Sequence, residues 1–194
     1  MLDAAYELFC GAGYRATTME AIAERAGVAV QTLYFTFHTK DELLQKVHDR
    51  TVLGDEALPP AMQPWYRAAV EEPDIAAALH LIVEGVETIF ARVAPMLPVF
   101  HTVTGDPAGK VWEQGEALRR AGYNDMLTML QTKAPPRRGL THEDARDVMF
   151  VILGPQLYRS FVIENQWPPR RWIVWTAELL LRELFAIEPA RGRH

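Results

Sequence analysis

The side chains in this 194-residue chain that most often carry chemistry are few and scattered. There is one cysteine, Cys10, and there are six histidines. No Gly-x-Ser-x-Gly, glycine-rich phosphate loop or His-Glu-x-x-His occurs. No glutamate is followed three residues later by histidine, the spacing an α-helical di-iron centre requires. His80, Glu84 and Glu87 share one helical face, which reads as a solvated surface rather than a metal site. No catalytic residue, metal or cofactor is therefore expected. A lone thiol makes no internal disulfide, which fits a reducing cytoplasm. The concentration of useful side chains lies elsewhere, between residues 17 and 40. Thr17, Thr18, Gln31, Tyr34, Phe35, Thr36 and Lys40 offer hydrogen bonds, aromatic surface and one positive charge. Such a set suits binding a partner rather than transforming a substrate.

Helices must position that set. Apolar residues recur at helical spacing throughout, and no period-two alternation marks a strand, so the chain reads as all-α. A first helix covers about 2–10 and ends at Gly11 and Gly13. Thr17 or Thr18 caps a second, which stops at Gly27. A third spans about 29–36, and Thr39-x-x-Glu42 opens a fourth at Lys40. Two turns of helix are marginal alone in water, so packing must hold the third. Leu33 and Phe37 are expected to face helices one and two, with Val28 filling the turn. Gly27 supplies a left-handed residue, and Ala23 is small enough for a close crossing. This is helix-turn-helix grammar. It leaves Ala29, Val30, Gln31, Tyr34 and Phe35 pointing outward as a partner surface. DNA's major groove admits one helix and presents thymine methyls and adenine edges to such side chains.

The stretch from Ala4 to Leu44, AAYELFCGAGYRATTMEAIAERAGVAVQTLYFTFHTKDELL, resembles the DNA-binding domain of the TetR (tetracycline-repressor-like) family of transcriptional regulators. Leu-Phe, Gly-Tyr, Thr-Thr, Ile-Ala, Ala-Gly-Val, Thr-Leu-Tyr and Lys-Asp-x-Leu carry the likeness. It implies phosphate contacts from Thr17 or Thr18 and from Lys40, a phosphate or thymine contact from Tyr34, and base contacts from Ala29, Val30, Gln31 and Phe35. Thr36 stands where the family usually has Tyr or His, Val30 where Lys or Arg is frequent, and His38 where Pro or Gly is common. Over residues 1–50, Arg15, Arg25, Lys40, Lys46 and Arg50 meet seven acidic residues, a balance of −2. Few counterions would then be released on binding, and the salt dependence should be shallow.

The prolines at 59, 60 and 64 place the domain boundary near residue 50: a three-helix reading domain over 1–50 and a larger helical domain over 51–194. Further helices are expected near 64–72, 74–95, 96–104, 107–133, 141–165 and 168–186. The resemblance implies that the central ones enclose a small-molecule effector, for which Trp65, Phe90, Met96, Phe100, His101, Trp112, Tyr123 and Met126 are the candidate lining. That composition favours an apolar or aromatic effector. Segments 143–164 and 170–186 are apolar on more than one face, which predicts a homodimer through a four-helix bundle. The function implied is a ligand-responsive regulator, a repressor released from double-stranded operator DNA by its effector. The alternative is an all-α dimeric interaction module that no longer reads DNA. No run of eighteen apolar residues occurs, so no membrane span is expected, and a cytoplasmic location is.

Overall fold

The computed structural model describes residues 1–100 and 107–185, and every regular element among them is helical. Helix α1 (Leu2–Ala12) takes in Gly11 and stops at Gly13, whose φ of 83° is left-handed. Thr18, not Thr17, caps α2 (Met19–Ala26), its hydroxyl accepting the Ala21 N–H. Gly27 ends α2 in the left-handed region at φ 67°. Helix α3 (Val30–Phe37) starts after Ala29 without a side-chain cap. Thr39 caps α4 (Lys40–Leu53) by accepting the Glu42 N–H. Phe9, Ile22, Leu33, Leu43 and Leu44 are fully buried where these four helices meet. Leu33 anchors α3, with Phe37 half-buried beside it. Burying one such leucine contributes about 2 kcal/mol, enough to matter for two marginal turns.

This N-terminal core does not close on itself. Met96, Val99 and Phe100 around α7 (Leu97–Phe100), and Ala108 and Val111 at the start of α8 (Pro107–Gln131), are buried in the same cluster. The second core surrounds α6 (Ile75–Val93), which packs on α5 (Pro64–Glu71) and α11 (Pro169–Phe185). Gly85 of α6 lies under the Trp65 indole, where a Cβ would sit 2.1 Å from Cδ2. Arg92, in the last turn of α6, ties the two cores together. Its Nε donates to the Thr51 carbonyl of α4 at 2.8 Å, and its own carbonyl accepts the Tyr6 hydroxyl of α1 at 2.9 Å.

The stretch 141–165 corrects the expectation of one helix. It is divided into α9 (His142–Ile152), α10 (Pro155–Tyr158) and a π-helical turn at Arg159–Glu164. Pro155 has no N–H for the Val151 carbonyl, and Gly154 is extended at φ −120°. Helix α8 caps the broken end. Arg119 donates to the Phe150 and Leu153 carbonyls at 2.9 and 3.2 Å, and the Tyr123 hydroxyl donates to Leu153 at 2.6 Å. No helix among the described residues is long and apolar enough to cross a membrane.

Candidate nucleic-acid interface and effector region

Leu33 sets the orientation of α3. Gln31 and Phe35, each two residues away, lie about 200° around the helix from it and face outward. Both are exposed, as are Ala29, Thr32, Tyr34, Thr36 and His38, and Phe35 is 84 % exposed. Val30 is a correction: three residues from Leu33, it falls about 60° away and is half-buried against the N-terminal core. Thr32 was not among the expected contacts, although the same geometry places it on the open side. The Thr36 hydroxyl donates back to the Thr32 carbonyl at 2.9 Å.

Beside α3 is a hollow of about 410 Å³. Thr17, Thr18, Tyr34 and Lys40 all line it, joined by Arg15, His38 and the first turn of α2. The N–H groups at the start of that turn, with Arg15 and Lys40, favour an anion in the hollow, opposed by the Glu20 carboxylate. Three of the four have other work, Thr18 as the cap of α2. Thr17 is only 2 % exposed, and its hydroxyl lies 2.8 Å from the Gly13 carbonyl and 3.2 Å from that of Leu8. Its side chain therefore seals the end of α1, which leaves Thr18, exposed, as the more open of the two residues expected to meet a phosphate. The Lys40 ammonium donates to the carbonyls of Tyr14 and Thr17 at 2.9 and 3.0 Å and sits 4.2 Å from the Tyr14 ring centroid. Two of its three donors hold the 14–17 turn, while its charge remains at the wall of the hollow.

The seven described residues of the eight expected to line the effector do not converge on one cavity. Met96 and Phe100 are buried in the N-terminal core; Phe90, Tyr123 and Met126 are buried in the other. Tyr123 acts as the α9 cap described above, and the pKa of its buried hydroxyl is pushed up to about 12 by loss of solvent. Trp112 packs against both cores and stacks on Phe100 at 5.5 Å. Trp65 lines a small hollow of about 120 Å³ with Gln63, Thr88 and Arg92. His101 lies outside the described residues.

Three buried polar atoms among the described residues have no hydrogen-bond partner: His48 Nδ1, Trp172 Nε1 and Thr176 Oγ1. His48 lies on the apolar stripe Leu44, Val47, His48, Thr51 of α4, a pattern visible in sequence but overlooked. Its ring meets Phe100 edge-on at 5.6 Å and fills a notch at Gly115 of α8. Burial holds its pKa below the ordinary histidine value, against smaller opposing effects of Asp49 and Glu116. Trp172 and Thr176 stand one turn apart on α11. Trp172 meets Tyr158 edge-on at 4.9 Å and Phe90 at 6.2 Å, and the Tyr158 hydroxyl donates to Glu87 at 2.7 Å.

A short helix set across its predecessor by a left-handed glycine, open on one face beside an anion-attracting hollow, defines a helix-turn-helix protein. Residues 1–47 match the model of the bacterial regulatory proteins of the tetR family. Over that stretch the chain is similar to the family's N-terminal domain. No curated protein matches the chain. Solved structures share the fold across nearly its whole length. NalD of Pseudomonas aeruginosa, the secondary repressor of the MexAB-OprM multidrug efflux pump, is 19 % identical with a TM-score of 0.70, over 95 % of this chain and 94 % of that one. FadR of Bacillus subtilis, solved in complex with stearoyl-CoA, is 19 % identical with a TM-score of 0.71, over 94 % and 96 %. PfmR of Thermus thermophilus, a TetR-family transcriptional regulator, is 22 % identical with a TM-score of 0.66, over 93 % and 96 %.

Proposed function

We propose that the chain is a cytoplasmic, ligand-responsive transcriptional regulator. It binds double-stranded operator DNA as a homodimer, and a small apolar or aromatic effector releases it. The observation that carries this reading is the coincidence of the tetR-family match over residues 1–47 with an α3 whose outer face is exposed and bordered by the anion-attracting hollow. Exposed Val151 and Val174, with half-buried Phe161, Trp167 and Trp175, support pairing through 143–164 and 170–186. Reading two half-sites about one DNA turn apart requires two such helices. Helix α4 begins in the reading domain, whose boundary we place near residue 50, and presses His48 against Phe100 and α8. An effector that opens the region between the two cores displaces α4, provided it prefers the displaced arrangement. Phe100 and Trp112, stacked where the two cores meet, supply its lining in this reading. The neighbour solved in complex with stearoyl-CoA, which carries a long apolar chain, agrees with an apolar effector. Electrophoretic mobility shift of the purified protein on DNA from upstream of its own gene, at low salt, tests the reading. A discrete complex that outcompetes unrelated DNA is expected. Binding no stronger than to unrelated DNA would leave an interaction module instead.

A further inference from the structure

From Ala26 to Thr39 the chain contains no Asp, Glu, Lys or Arg. The commonest specific contact in the major groove, Arg or Lys to guanine O6 and N7, therefore has no donor on α3. What α3 and its N-cap present outward is Ala29, Gln31, Thr32, Tyr34, Phe35 and Thr36, whose hydroxyl is turned back to the Thr32 carbonyl. The Phe35 ring, 84 % exposed, packs on nothing that would explain it. Among the base edges of the major groove, only thymine offers an apolar group, its 5-methyl, and Phe, Ala and the Thr methyl are its matching contacts. The amide of Gln31 matches adenine N6 and N7. Positive charge lies at the rim: Arg15 and Lys40 line the hollow beside α3. Phosphate contacts there position the helix without reading sequence. Resting on the regulator reading above, we infer that α3 reads its half-site through thymine methyl groups. Phe35 and Ala29 contact the methyls, and Gln31 pairs with adenine, so the base pairs beneath α3 are A·T.

The test selects duplexes from a random library with the purified full-length protein at low salt. The selected site is then resynthesised with deoxyuridine in place of thymine, which removes only the methyl. A·T pairs are expected under α3, and each methyl lost there should weaken binding about fourfold, the worth of one buried methyl group. Deoxyuridine outside that footprint should change nothing. Phe35→Ala should bind the thymine duplex more weakly and lose the sensitivity to deoxyuridine at the position Phe35 contacts, while keeping it at the position Ala29 contacts. Because the ring is exposed, its melting temperature should match the parent's. A selected site with G·C pairs under α3, or unchanged affinity with deoxyuridine, overturns the inference while leaving DNA binding intact. Failure to enrich any sequence overturns the regulator reading and this inference with it.

Discussion

Two glycines of α8 allow a sharp test of how α4 is seated. A Cβ on Gly115 would lie 2.7 Å from Cε1 and 2.9 Å from Nε2 of His48. Comfortable carbon contacts are about 3.5–4.0 Å, so the methyl intrudes by roughly 1 Å, and the imidazole or α4 must give way. A Cβ on Gly122, in the same helix, would meet nothing within 4 Å. In a helix interior, Gly→Ala alone stabilises by about 0.5–1 kcal/mol. Gly122→Ala should show that gain. Gly115→Ala adds overpacking of about 1–3 kcal/mol, so its net effect should be a loss of about 1 kcal/mol. Urea unfolding reads both: the Gly122→Ala midpoint rises, and the Gly115→Ala midpoint falls by about 0.3–1 M. Combining Gly115→Ala with His48→Ala should be less damaging than the two separate losses predict, because the second change removes the obstacle. If Gly115→Ala stabilises as much as Gly122→Ala, His48 does not occupy the notch and the proposed route from α8 to α4 is lost.

Other outcomes follow from the same structure. Thr176→Val replaces a buried, unpartnered hydroxyl with a methyl of similar size and should raise stability by about 1–2 kcal/mol in chemical denaturation; a loss would show that the hydroxyl has a partner. His48 has a lowered pKa in the folded chain, so its contribution is complete above about pH 6.5 and is lost as pH falls toward the folded value. That contribution has a slope of at most about 1.4 kcal/mol per pH unit, and His48→Leu should remove it from the stability–pH profile; an unchanged profile would refute the assignment. Arg15 and Lys40 from two subunits give about four phosphate-facing cations, hence a log K against log salt slope near about −3.6, and a measured slope beyond about −6 would mean that other cations reach the DNA.

The reading domain was largely legible because its constraints are local. Gly27 and the caps at Thr18 and Thr39 act within a few residues, and Leu33 fixes a whole face. The Val30 error was avoidable, since its angle from Leu33 follows from helix geometry alone. Thr17 was not recoverable in the same way. Threonine serves equally as cap, phosphate ligand or internal donor, and the Leu8 carbonyl that engages it belongs to another helix. The effector region failed for a related reason. Aromatic and methionine content marks apolar surface without saying which core receives it, so Met96 and Phe100 went to one core and Phe90 to the other. The α9 break was visible at Gly154-Pro155, but its capping by Arg119 and Tyr123 depends on long-range packing.

Arg92 makes its bonds to α1 and α4 from a single residue at the tip of α6. A displacement of that tip pulls on both helices at once, and they share one core with α3. A shift of the tip would therefore be felt by all three together. In a paired assembly, motion at this tip changes the spacing and tilt between the two reading heads.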